Sequence, residues 1–222
     1  MCFSTEVSFT ASAGLAVIGI KTILVNNKKT RLLSYMPIIF SIHQFTEGMN
    51  WLFLSEGQSF IKTFFVHLYA YIQYVLWPIY IPLACYFLEI DNRKKRKLFH
   101  GVFVALGVGY AASWASSMIQ GDVIVRQICN PDCAGLIYLI NFPSSLHLWK
   151  LIYLTIITLP ALISSYKSVK LFGFLTALAW LGSNVYFIRS FGSTWCFFAA
   201  ILSCIVLISM KEQKAFELKK QN

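Results

Sequence analysis

His43, Gln44, Glu47, Asn50 and Trp51 follow one another at helical spacing inside an otherwise apolar stretch. Steps of three and four residues set His43, Glu47 and Asn50 on one stripe, with Gln44 and Trp51 beside it. An imidazole, an acid and two carboxamides in this pattern can take up a proton or cation, ligate a metal, or bond neighbouring helices. The surrounding residues 32–54 are long enough to cross the roughly 30 Å hydrocarbon core of a bilayer. His43 would then lie near mid-membrane and Glu47 in the outer leaflet. A carboxylate at such depth rarely faces lipid. It either carries a proton or meets a cationic, metal or hydrogen-bonding partner. The plainer alternative is an interhelical hydrogen bond that only holds the bundle together.

The rest of the chain supplies the elements that would surround this stripe. Of 222 residues, 57% are hydrophobic and only 13% charged, and the apolar ones arrive in blocks. Backbone groups in such blocks must bond internally, and the period-two alternation of membrane strands is missing. The expected fold is a single all-α membrane domain of seven helices, with spans near 7–25, 32–54, 60–88, 98–118, 146–165, 169–188 and 191–210. Positive charge gathers on alternate connections: Lys28, Lys29 and Arg31; Arg93 to Lys97; Lys167 and Lys170; and the tail from Lys211. Only Lys62, Arg126, Lys150 and Arg189 fall on the other side. The positive-inside rule puts the N-terminus outside and the C-terminus in the cytoplasm. The net charge of +10 is thereby read as a topology signal that can also touch anionic lipid, and not as a nucleic-acid surface. The first residues carry Glu6 and no Lys or Arg, so span one is expected to be an uncleaved anchor.

Other spans offer partners at similar depth. Span three carries His67, Tyr71 and Tyr74 on one stripe. Span four has Tyr110, Ser113 and Trp114, span six Trp180, Ser183 and Asn184, and span seven Trp195 and Cys196. If these faces converge, they form an outer-leaflet pocket with a polar centre at Glu47 and walls at Trp51, Trp114 and Trp195. Much of the aromatic content would equally suit an interfacial belt. Pro78 and Pro82 in span three and Pro160 in span five would kink their helices. The long outer loop 119–145 could lie in the interface, form a short hairpin, or fold over the bundle as a lid. Within it Cys129 and Cys133 flank Asn130-Pro131-Asp132 and could close a small disulfide ring in an oxidising compartment.

Four segments carry a family resemblance: Met1-Cys2-Phe3-Ser4; His43-Gln44-Phe45-Thr46-Glu47-Gly48-x-x-Trp51; Trp77-Pro78-x-x-x-Pro82-Leu83-Ala84; and Ser193-x-Trp195-Cys196-Phe197-Phe198-Ala199-Ala200. In this order the chain resembles a family of small bacterial membrane proteins that begin Met-Cys-Phe-Ser and have no assigned activity. The resemblance implies a bacterial inner-membrane location and draws attention to Cys2, Glu47, Trp51, Trp195 and Cys196. It also raises a pairing of Cys2 with Cys196, both near the outer side. Microbial rhodopsins share the expected topology, but span seven lacks their retinal-binding lysine. Alkaline ceramidases and progestin-type receptors are similar in size, but span seven lacks their histidine pair. An intramembrane zinc hydrolase would need other ligands, such as His43, Glu47 and His67.

Three readings follow. The first is a membrane protein that binds or transports a small or amphiphilic ligand, using His43, Gln44, Glu47, Asn50, Trp51, His67, Tyr71, Tyr74, Asn184, Trp195 and Cys196. It needs no cofactor, its partners are the bilayer and that ligand, and transport by so small a chain would call for a homodimer. The second is the zinc-dependent lipid hydrolase. The third is a structural or sensory protein without small-molecule chemistry.

Overall fold

The computed structural model describes residues 4–26, 29–89, 92–129, 133–140, 146–187, 190–208 and 210, apart from the side chains of Leu98, His100, Ile128, Cys129, Cys133, Ala134, Leu146 and His147. In chain order they form α1 (Thr5–Leu24), α2 (Arg31–Leu52), α3 (Phe60–Tyr71), a π-helical turn (Ile72–Leu76) and α4 (Trp77–Leu88). A short α5 (Arg93–Lys95), a second π turn (Arg96–His100) and α6 (Gly101–Gln120) lead to strands β1 (Val123–Cys129) and β2 (Cys133–Ile140). Helices α7 (Leu146–Leu162), α8 (Lys167–Tyr186) and α9 (Phe191–Leu202) complete the chain.

Four helical segments are long and apolar enough to cross a membrane: Thr5–Leu24, Phe60–Leu88, Gly101–Gln120 and Phe191–Ile208. The second of these contains α3, the π turn and α4 in one run. The expected seven do not all qualify by length and composition. Helix α2 is diluted by its polar stripe and α8 by its own polar residues, while the apolar part of α7 is the shorter Leu148–Leu162. The last span also departs from a continuous helix, because α9 ends at Leu202 and the chain turns at Ser203 and Cys204 before helix resumes.

Small residues bring α1 and α2 together. Ser8, Ser12, Leu15, Gly19 and Thr22 recur at steps of four and three, and all are buried. Ser12 Oγ donates to the Ser41 carbonyl at 2.9 Å, and Ser41 Oγ donates back to the Ser12 carbonyl at 2.7 Å. Thr22 Oγ1 donates to the Ser34 carbonyl at 2.7 Å. This is the association expected in lipid, where helices gain nothing from hydrophobic burial against each other and rely on close approach and hydrogen bonds.

The π turn has a covalent cause. Trp77 N–H bonds to the Ile72 carbonyl, skipping Gln73, and the next residue, Pro78, has no N–H to offer. The Gln73 carbonyl is thus left without a partner in its own helix. Tyr153 on α7 fills the gap, its hydroxyl donating to that carbonyl at 2.8 Å. Beside the kink, α6 passes so closely that a Cβ on Gly107 would lie 2.0 Å from the Pro78 carbonyl oxygen.

The expected all-α class needs one correction: residues 123–140 contain an antiparallel hairpin, with Val125 opposite Tyr138 and Gln127 opposite Leu136. Val123, Ile124, Val125 and Ile137 are β-branched, which suits a strand better than a helix. Val123, Val125, Leu136 and Tyr138 are buried while Ile124, Arg126 and Leu139 are exposed. The buried face packs on α3 and α9. Of the alternatives open for this loop, a hairpin folded over the bundle is the one adopted.

At the end of the bundle away from the hairpin, Glu89 closes the turn between α7 and α8. Its carboxylate accepts from Ser164 Oγ at 2.9 Å, from Ser165 Oγ at 2.7 Å and from the Ser165 backbone N–H. Glu89→Ala is expected to cost about 2–3 kcal/mol, since it strands three donors bonded to a charged acceptor. Thermal unfolding in detergent checks this, and Glu89→Gln should recover part of the loss.

Candidate functional site

Helix α2 turns its polar stripe wholly inward. His43, Gln44, Glu47 and Asn50 are each no more than 2% exposed. The His43 ring packs on Tyr69 of α3 with centroids 4.3 Å apart. Trp77 Nε1–H points at His43 Nδ1 from 3.4 Å, which leaves the ring proton on Nε2. Glu47 Oε1 accepts a hydrogen bond from Ser193 Oγ of α9. The Tyr69 hydroxyl, Tyr138 and Cys196 lie close enough to feel the same carboxyl electrostatically. Among the described residues no Lys or Arg is paired with it. Asn50 Nδ2 donates to Tyr138 Oη at 3.0 Å and, more weakly, to the Phe65 carbonyl at 3.4 Å.

Tyr138 comes from β2 and carries the hairpin's contact with the polar core. Its ring stacks on Tyr69 with centroids 4.1 Å apart and planes 10° apart. On its other side it borders a cavity of about 230 Å³. Residues 136–140 roof this cavity. The π turn supplies Gln73 and Tyr74; α6 supplies Tyr110 and Trp114; α7 supplies Trp149, Lys150 and Tyr153; and α9 supplies Phe191, Gly192 and Trp195.

The walls are mutually braced rings. Tyr74 stacks on Trp114 at 4.3 Å, and Tyr153 meets Trp195 edge-on at 5.2 Å. Trp195 Nε1–H donates to the Thr176 carbonyl at 3.1 Å, fixing that indole. Lys150 Nζ stands over the Phe191 ring, 4.6 Å from its centroid. No carboxylate among the described residues is paired with this ammonium. Such a chamber can hold a compact, mainly apolar molecule, with Gln73 and Lys150 as its polar contacts.

The expected constellation is thus divided. His43, Glu47, Asn50 and Cys196 gather in the polar core, and Gln44 is buried on the same helix. Tyr74 and Trp195 line the cavity, which touches the core through Tyr138 and does not include Glu47. Trp51 borders a separate open cleft with Arg126 and Gln127. Tyr71 faces an apolar groove with Ile72, Val75 and Leu83, and Asn184 is only half-buried on α8.

His67 does not join His43 and Glu47. It lies two residues from the inward-facing Tyr69, about 200° around the helix, and its Nδ1 is paired with the Thr63 carbonyl at 2.9 Å. Among the described residues no three His, Cys, Asp or Glu side chains group as metal ligands. Cys129 pairs with Cys133 in the hairpin register, but their side chains lie outside the described residues, as does Cys2. Cys196 is a buried free thiol.

Tyr69, Gln73, Tyr138, Lys150, Tyr153 and Ser193 are functional candidates that sequence reasoning left out. Gln73 had a signal, an amide inside an apolar run five residues before a proline. Tyr138 and Ser193 had none that names their partner.

Over residues 1–221 the chain matches the model of a family described as a family of unknown function (DUF6629). No curated protein and no solved structure matches it.

Proposed function

The chain belongs to the family of unknown function DUF6629, and we propose that it is a seven-helix membrane protein that binds a compact amphiphile. The ligand is mostly apolar, carries one anionic group, and lies in the cavity beneath the hairpin. The observation that supports this reading is a half-buried ammonium, Lys150, set among aromatic walls and without a carboxylate partner among the described residues. An anion on the ligand would complete a charge-assisted bond that none of the described residues supplies. At about 230 Å³ the space falls below the roughly 300–1,000 Å³ of drug-sized sites, which favours a small molecule. In this reading α2, α7 and α8 cross the membrane with the four apolar segments. The positive-inside pattern directs the hairpin end outward from a bacterial inner membrane.

Calorimetry with 1-naphthoate and 1-naphthylmethylammonium tests the proposal, because the two probes share a ring system and differ in charge. Naphthoate should bind, and Lys150→Met should weaken it about tenfold, in line with the loss of a charge-assisted bond. Tighter binding of the ammonium compound, or no binding of either, would sink the reading.

A further inference from the structure

Several buried polar atoms on α2 and α3 have no hydrogen-bond partner among the described residues. Glu47 Oε1 is engaged by Ser193, but Oε2 makes no hydrogen bond among the described residues. Neither does Asn50 Oδ1, nor either end of the Gln44 amide. The Tyr69 hydroxyl stands beside the same carboxyl without a hydrogen bond of acceptable geometry. Residues 44, 47 and 50 follow at steps of three, so their side chains succeed one another along one side of α2. Leaving such atoms unsatisfied away from water costs about 1–3 kcal/mol for each neutral group and more for a charged one.

We infer that Gln44, Glu47, Asn50 and Tyr69 form a binding site for one monovalent alkali cation, sodium above all. The donors are oxygens: one carboxylate, two amide carbonyls and a phenol. Hard cations take such a set, whereas zinc and its neighbours favour imidazole and thiolate. His43 is the nearby imidazole, and its unengaged nitrogen carries the proton, so it cannot donate a lone pair. Charge decides the valence. A single carboxylate neutralises a monovalent ion, while a divalent ion would leave a net charge in a low-dielectric interior. This site is distinct from the aromatic cavity and does not rest on a ligand being bound there.

The test uses the full chain in a non-ionic detergent, melted at equal ionic strength in NaCl, KCl or choline chloride. Sodium should raise the melting temperature saturably, by roughly 5 °C at concentrations far above half-saturation. Choline should not. Gln44→Met removes an amide that makes no hydrogen bond in the structure, so its fold is retained. It should shift half-saturation to at least several-fold higher sodium, and Glu47→Gln should abolish the response. Identical melting in all three salts overturns the inference, showing that water alone serves these atoms. A sodium response unchanged in Gln44→Met overturns it as well.

Discussion

Tyr138→Ala is expected to destabilise the protein by about 3–5 kcal/mol, the range for removing a large buried ring. The side chain is 9% exposed, stacks on Tyr69 and accepts the Asn50 amide. Its loss leaves the Asn50 amide with only its weaker bond to the Phe65 carbonyl and should open a path from the cavity to Glu47. Tyr138→Phe keeps the ring and removes only the acceptor, so about 1 kcal/mol should be lost. The contrast separates packing from hydrogen bonding. Melting in detergent gives the first readout, and proteolysis of residues 123–140 gives the second, with faster cleavage in the alanine variant. A Tyr138→Ala protein that melts like wild type would show the hairpin to be a peripheral ornament.

Gly107→Ala should cost about 3 kcal/mol or more, at the upper end of what overpacking does. The added methyl would lie 2.0 Å from the Pro78 carbonyl oxygen and 2.8 Å from its carbon. Both are backbone atoms at a kink, so no rotamer change relieves the clash. Helix α6 must move away from α4, and the aromatic wall at Tyr110 and Trp114 must move with it. Gly109→Ala is the matched control, because nothing lies within 4 Å of its Cβ position. It should be neutral or slightly stabilising, since alanine favours helix. Equal melting of the two variants would mean that α6 does not pack on the kink as described.

The inward face of α2 was legible in the sequence because an acid, an imidazole and two amides at helical spacing leave few places to go. Of the expected α3 stripe, Tyr74 lines the cavity, while Tyr71 faces a separate apolar groove and His67 bonds back to its own helix. A regular helix through His67, Tyr71 and Tyr74 is a fair extrapolation, but the buried positions are Tyr69, Gln73 and Trp77. These too are four apart, and the π turn changes how the residues after it present themselves. Periodicity alone does not choose between two such stripes, since each is mostly aromatic. The hairpin is only one of three options in the sequence, because its strands are short and Val123, Ile124 and Val125 break any strict alternation. Pairings across the chain were illegible for a simpler reason. Nothing local to Glu47 points to Ser193, 146 residues away.

That separation bears on how the protein is made. In the proposed seven-span reading, helices would enter the bilayer roughly in the order of their synthesis, yet the hydroxyl that meets the acid on α2 belongs to α9. Between those two moments the ribosome adds the hairpin and helices α3 to α8. On that reading the nascent α2 would wait throughout the interval with an unshielded carboxyl group, at the insertion machinery or in a transient alliance with its neighbours. Biogenesis, more than the finished bundle, would then be where this acid makes its heaviest demand.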